Sequence, residues 1–142
     1  MSVGWGQIDI EPPEVVNFQF TSETTVDVTD ELQELNYTIS VTDDISGISY
    51  CGMMFESPSG IDEVYDDLGF SQQLEETREG VINIPQFVEP GIWTLEYLFC
   101  NDDSNNSLNY YLSDFQELGF SYEFEVINNS ELDIEPPEVV NF

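Results

Sequence analysis

Carboxylates dominate the side chains of this sequence that could do chemistry. The chain has 30 Asp and Glu residues against one Arg, with no Lys and no His, which gives a net charge of −29. Without His there is no imidazole base for a serine or cysteine nucleophile, and without Lys there is no Schiff base or phosphate-binding lysine. Two carboxylates could hydrolyse a glycoside, but 30 acids single out no pair. The residue types therefore indicate that the protein is not an enzyme.

The same charge restricts the partners of the chain. A net charge of −29 repels itself, so bound divalent cations or high salt must offset it. Nucleic acids and anionic membranes are unfavourable partners for such a surface. No apolar run is long enough to span a membrane, and the first residues lack the features of a signal peptide. We expect no nucleic acid, no direct membrane insertion, and an export signal outside the given sequence.

A ten-residue segment occurs twice. The sequence DIEPPEVVNF stands at residues 9–18 and again at 133–142, identical in every position. This recurrence predicts a tandem array, with residues 1–8 as a leader or the end of a preceding segment, 9–132 as one repeat, and 133–142 as the start of the next. Each copy contains a proline pair, which makes a stiff and extended linker. Adjacent copies of the same repeat are therefore expected partners.

The secondary structure must position any functional site. Short segments in which apolar and polar residues alternate predict an all-β fold. Leu35, Tyr37, Ile39 and Val41 alternate along one face of a strand over residues 35–42. Residues 61–80 are ambiguous and are predicted as one irregular strand with a long loop. The other predicted strands are residues 15–20, 24–29, 48–56, 81–84, 92–100 and 120–127. Their number and spacing are typical of an immunoglobulin-like antiparallel β-sandwich of seven to eight strands.

One helical turn is predicted in the long segment before the last strand. Ser113 and Gln116 have the spacing of a capping box, and Gly119 can end the turn.

Acidic residues from three segments are predicted to meet at one end of this sandwich. If successive strands alternate in direction, three segments lie at the same end of the sandwich. They are the start of the first strand, the turn after residue 42 and the loop after residue 100. Calcium takes six to eight oxygen ligands and would relieve the repulsion between converging carboxylates. The alternative is that these are solvated turn residues, because Asp and Asn favour turns. The predicted calcium ligands are Asp9, Glu11, Asp43, Asp44, Asn101, Asp102 and Asp103.

The two cysteines fall on strands expected to be antiparallel neighbours. Cys51 and Cys100 would lie at about the same height, so a cross-strand disulfide and two separate free thiols both stay open. Strand alternation places Cys100 on the same face as Glu96, which predicts the outer face. The same alternation puts Trp93, Leu95, Tyr97 and Phe99 together, where core packing is favoured over a glycan-binding platform.

Several segments together resemble the immunoglobulin-like repeats of giant calcium-dependent bacterial surface adhesins. They are PPEVVNF, TVDVT, TDDISG, SPSG, EPGIWTLEYLF and NDDSNN, and they span nearly one period. The last departs from the D-x-x-G-N pattern of the family, because Asn105 stands where glycine would be expected. The resemblance implies a spacer domain outside the cell, with calcium at the junctions between domains.

We therefore expect a structural spacer repeat of an extracellular, cell-surface adhesin or fibre, stiffened by calcium. Two alternatives stay open. The first is a β-sandwich module that binds a glycan or another surface as its ligand. The second is a fibre subunit that assembles by donating a strand to the next molecule.

Overall fold

The computed structural model describes residues 10–129, which form nine strands and one helix. The predicted all-β class is confirmed. The predicted leader and the predicted start of the next copy lie outside the described residues. The elements are β1 Glu14–Phe20, β2 Thr25–Asp27, β3 Gln33–Thr42, β4 Ile48–Glu56, β5 Glu63–Gly69, β6 Glu75–Ile84, β7 Gly91–Asp102, β8 Ser107–Tyr110, α1 Leu112–Leu118 and β9 Glu123–Ile127.

The strands form two sheets. The first has the order β1-β3-β6, and the second has the order β2-β9-β7-β4-β5, with β8 paired to β7. Every pair is antiparallel except β2 and β9, which are parallel. The prediction of a wholly antiparallel fold is wrong at this pair. The chain keeps its direction when it crosses from β1 in the first sheet to β2 in the second, and β9 runs the same way.

The two sheets share one core. Leu35, Tyr37, Ile39 and Val41 are all fully buried, so the alternation predicted along β3 is confirmed. Large side chains of the second sheet lie in the same cluster, among them Phe55, Trp93 and Phe124. Burying one such side chain stabilises the fold by about 1.5–3 kcal/mol, which makes this core the main support of the fold.

Residues 61–84 differ from the sequence prediction. They form two strands, β5 and β6, and β6 has ten residues where only residues 81–84 were predicted. None of residues 75–79 is buried, so this half of β6 carries no hydrophobic alternation. It is a strand because β6 pairs with β3 along its whole length, from Gln33 with Ile84 to Thr42 with Glu75.

The segment between β7 and β9 closes one side of the core. The predicted helix is confirmed as α1, and Gly119 ends it in the left-handed conformation at φ 76°. Its first turn begins at Tyr111, whose backbone N–H donates to Asp114 at 2.8 Å, so the predicted Ser113–Gln116 box is wrong. The helix buries Phe115, whose ring lies 5.3 Å from that of Phe18.

Candidate functional site

The turn over residues 43–47 and the turn over residues 102–106 lie side by side. The backbone N–H of Asp103 donates to the carbonyl oxygen of Gly47 at 2.9 Å. The chain begins β1 at the same end, because Glu14 pairs with Thr42. We call this end, formed by the two turns and the start of β1, the N-terminal pole. The structure thus brings together the three segments that the strand count placed at one pole.

Asp43 holds the first of these turns. Its side chain is buried, and Oδ2 accepts a hydrogen bond from the backbone N–H of Gly47 at 2.9 Å. Gly47 has φ 89°, and a Cβ there would lie 2.2 Å from the carbonyl oxygen of Gln72. The turn therefore requires glycine at this position, and the Asp43 carboxylate closes it.

Asp102 holds the second turn in the same way. It is 1% exposed, and Oδ1 accepts from the backbone N–H groups of Ser104 and Asn106, each at 2.9 Å. Its Oδ2 accepts from the side-chain amide of Asn106 at 2.9 Å. The left-handed conformation of this turn falls on Asn105, at φ 65°. Both carboxylate oxygens of Asp102 thus stabilise the loop.

The flanking residues have polar partners as well. The side-chain amide of Gln72 donates to Asp103 Oδ1 at 2.8 Å, and Asn101 Oδ1 accepts from the hydroxyl of Ser107. These contacts fit the alternative to a calcium site, in which Asp and Asn side chains stabilise their own turns.

Glu11 and Asp44 complete the acids of this pole. Together with Asp43 they line a depression of about 170 Å³ beside the start of β1. Asp9 lies outside the described residues. Within residues 10–129, no group of three or more acidic or thiol side chains is close enough to hold a metal ion. The described acids do not form a coordination shell by themselves, and the calcium at this pole stays a prediction.

The two cysteines form a disulfide between neighbouring strands. Cys51 of β4 pairs directly with Cys100 of β7, and their Cα atoms lie 4.1 Å apart. Disulfides persist in oxidising compartments, so this bond indicates a non-cytoplasmic environment. Both residues are fully buried, and the expected outer-face position is wrong.

The reason is a β-bulge at Glu96 that the sequence did not reveal. Met54 pairs with Tyr97, whereas the next residue Phe55 pairs with Leu95, so Glu96 is an extra residue in β7. A bulge shifts the alternation by one position, and every later side chain changes face.

This shift also moves two aromatic residues. Trp93 and Leu95 face the core, but Tyr97 and Phe99 lie on the opposite, outward face while Leu98 and Cys100 are buried. Trp93, Leu95, Tyr97 and Phe99 were all expected to pack in the core. This expectation is wrong for Tyr97 and Phe99. The signal in the sequence is Glu96 itself, the one charged residue within the apolar run of β7.

Within the part of the chain that the structure describes, no helix has the length and apolar character needed to cross a membrane.

Comparison with known proteins places the chain in no family. No protein-family model and no curated protein matches it. Among solved structures, it is similar to the β-glucosidase from Listeria innocua in complex with glucose, at 13% identity and a TM-score of 0.42, over 83% of this chain and 16% of that one. The complex of that enzyme with isofagomine gives 14% identity, a TM-score of 0.42, and coverages of 83% and 17%.

A structural-genomics target, SoR45, is similar over 95% of this chain and 100% of its own length, at 12% identity and a TM-score of 0.38. The chain spans about a sixth of the β-glucosidase. These similarities carry no argument about function.

Proposed function

We propose that the chain is a spacer repeat of an extracellular, cell-surface tandem-repeat protein, and that it does no chemistry. The observation that carries this proposal is the direction of the chain. β1 begins at the N-terminal pole, whereas β9 ends beside the start of β7, where Gly91 pairs with Val126. Because β7 runs from there to the N-terminal pole, the chain enters and leaves at opposite ends. Copies joined by the recurring ten residues would then extend along one axis.

The opposite end, which we call the C-terminal pole, supports a junction of fixed direction. It consists of the start of β7, the end of β9 and the loops over residues 28–32, 57–62 and 85–90. The side-chain amide of Asn128 donates to the carbonyl oxygen of Val88 at 3.0 Å, and the backbone N–H of Asn129 donates to Thr29 Oγ1 at 2.9 Å. The end of the described chain is thus fastened to two loops of the domain. A chain held in this way leaves the domain in a defined direction.

An immunoglobulin-like sandwich is part of the same proposal. The first strand is divided between the two sheets as β1 and β2, β3 and β6 lie in one sheet, and β4, β7 and β9 lie in the other. This distribution agrees with the strand assignment of immunoglobulin-type sandwiches.

Calcium at the junctions is the further part of the proposal. Glu11 and Asp44 are both exposed at the N-terminal pole, beside the depression where the preceding domain would stand. Additional ligands would come from Asp9 and from the preceding domain, because a calcium site needs six to eight oxygens.

Strand donation is the competing way to assemble such copies. It would require an incoming segment to replace β1, which already pairs with β3 from Glu14 to Phe20 and buries Val15 and Phe18. Displacing those contacts is unfavourable, so the covalent array is the better supported assembly.

Sedimentation of the 142-residue chain tests this choice. We expect a monomer at every protein concentration, because each chain satisfies its own first strand. A chain that ends at residue 132 serves as the control, since it lacks the second copy of the segment. Polymers of the 142-residue chain that the shorter chain does not form would overturn the spacer in favour of strand donation.

A further inference from the structure

The outward face of the second sheet carries an aromatic patch. Tyr50 of β4, Tyr65 of β5, and Tyr97 and Phe99 of β7 line one depression of about 240 Å³. Tyr65 is 64% exposed and Tyr50 is 36% exposed. We call these four residues the aromatic face. Neither the core nor the junction between copies accounts for them.

The other sheet has no comparable face within the described residues. Its central strand β3 presents Glu34, Asn36, Thr38 and Ser40 outward, between its four buried core residues. A fold that needed only a solvated exterior would be polar on both sides. Contiguous aromatic residues that are exposed or partly exposed on one side indicate a surface that contacts another molecule.

Three rings of the aromatic face, those of Tyr50, Tyr97 and Phe99, hold one another in place. The Phe99 ring lies over Gly52, where a Cβ would approach ring atoms to 2.8 Å. The Tyr50 ring meets Phe99 edge-on at a centroid distance of 5.5 Å, and Tyr97 lies 6.2 Å from Phe99. Gly52 thus makes room for a ring that lies across the sheet, and the surface is formed before any ligand arrives.

The charged groups around this surface are all acidic. Asp67 stands beside Gly52 in the sheet pairing, and Glu56 pairs with Glu63 two residues beyond the pair of Met54 and Tyr65. Burial raises the pKa of the Glu56 carboxyl, and the nearby charges of Glu96 and Glu63 raise it further. The unfavourable proximity of these carboxylates is a feature that a cationic partner would relieve.

The chain itself supplies no cation to this face. Arg78 is the only basic side chain of the sequence, and it lies in β6 of the other sheet. There its Nε donates to Glu76 at 2.5 Å, and its guanidinium stands 6.0 Å from the centre of the Phe70 ring. A cationic side chain on this face would therefore have to come from another molecule.

We propose that the aromatic face docks a basic segment of a partner protein, with arginine side chains over the rings and in pairs with Asp67, Glu56 and Glu96. Arginine stacks on aromatic rings and binds carboxylates through two parallel hydrogen bonds, so it satisfies both halves of this surface. A neutral glycan would use the rings but leave the carboxylates facing one another. An anionic ligand would meet a protein of charge −29.

Fluorescence anisotropy of a labelled peptide with alternating Arg and Ser residues tests the proposal on the 142-residue chain. We expect saturable binding that is several-fold tighter than that of the same peptide with Lys. The variant Tyr65→Ala should weaken binding about tenfold, as expected for the loss of a stacked ring. The matched control is Phe87→Ala, because Phe87 is an aromatic residue that is 55% exposed in a loop of the C-terminal pole. Equal weakening by both variants would overturn the proposal.

A second pair of variants separates docking from general attraction of a cation to an acidic protein. Glu96→Gln and Glu79→Gln each remove one exposed charge, but Glu79 lies in β6 of the other sheet. We expect weaker binding for Glu96→Gln alone. Equal losses, or a neutral oligosaccharide of β-linked glucose that displaces the peptide, would contradict a docking site for a basic segment.

Discussion

The hydroxyl of Tyr37 in β3 donates a hydrogen bond to Asp66 in β5 at 2.5 Å, and this contact joins the two sheets. The Tyr37 ring stacks on Phe18 at 5.1 Å and occupies the space that Gly80 leaves, since a Cβ at residue 80 would lie 2.2 Å from that ring. Tyr37 thus stabilises the fold in two ways, through the packing of its buried ring and through the hydrogen bond of its hydroxyl.

Removing only this hydroxyl should measure the hydrogen bond by itself. We expect Tyr37→Phe to lower the free energy of unfolding by about 1 to 2 kcal/mol, because the ring stays packed while Asp66 loses the hydrogen bond from the hydroxyl. Urea denaturation measures the change. The control is Tyr65→Phe, which removes an exposed hydroxyl and should have little effect. Equal stability of the two variants would show that the sheets do not depend on this contact.

The disulfide should contribute more to the free energy of unfolding than the Tyr37 hydroxyl does. Cys51 and Cys100 are 49 residues apart in the sequence, and closing a loop of that length stabilises the fold by about 4 kcal/mol in the chain-entropy account. The double variant Cys51→Ala with Cys100→Ala should lose stability of this order in denaturant. The same measurement with reductant should shift the wild-type chain toward the double variant. A loss below about 1 kcal/mol would exclude the disulfide as a major stabilising element.

The pH dependence of stability should report the acids beside the aromatic face. Because the folded-state pKa of Glu56 is raised, first by burial and then by Glu96 and Glu63, the folded state holds its proton more tightly than the unfolded state. Stability is therefore lost as pH rises from the ordinary value of 4.5 through the raised one. Glu56→Gln should raise the melting temperature at pH 7 and leave it nearly unchanged at pH 3.

Glu79→Gln is the matched control, since it changes the net charge equally on the other sheet. An equal gain from both variants at pH 7 would show that general charge repulsion, rather than the local cluster, is being relieved.

The sequence predicted those parts of the fold in which alternation is regular. Leu35 to Val41 gave the central strand of the first sheet, and the heights of Cys51 and Cys100 allowed the disulfide. The face of Cys100 could not be predicted because a single extra residue, Glu96, reverses the alternation, and its place is fixed by pairing with β4. The first half of β6 was missed because none of residues 75–79 is buried, and backbone pairing with β3 makes this segment a strand.

The sequence predicted which segments meet at the N-terminal pole, but it did not predict the contacts that their side chains make. Asp43 and Asp102 do lie in adjacent turns, as the strand count requires, yet each carboxylate is directed to backbone N–H groups of its own turn. The residue type alone does not distinguish a turn acceptor from a metal ligand.

Mutations tested with and without calcium distinguish a metal ligand from a turn acceptor. We expect millimolar calcium to raise the melting temperature of the 142-residue chain relative to chelator at matched ionic strength, because a ligand of the folded state stabilises it. Asp44→Asn should reduce this increment without changing the melting temperature in chelator. Asp102→Asn should lower the melting temperature in both conditions, because it weakens the turn. An increment that sodium chloride reproduces would contradict a specific calcium site.

The spacer function is tested most directly by measuring how the maximum dimension of the protein increases with the number of copies. Small-angle X-ray scattering would compare chains of one, two and three copies of residues 9–132. β7 has twelve residues and runs between the two poles, so each added copy should lengthen the maximum dimension by roughly 40 Å. Steady growth by this increment is the result we predict. A maximum dimension that rises by less than half of it would mean that the copies pack side by side, which contradicts a spacer.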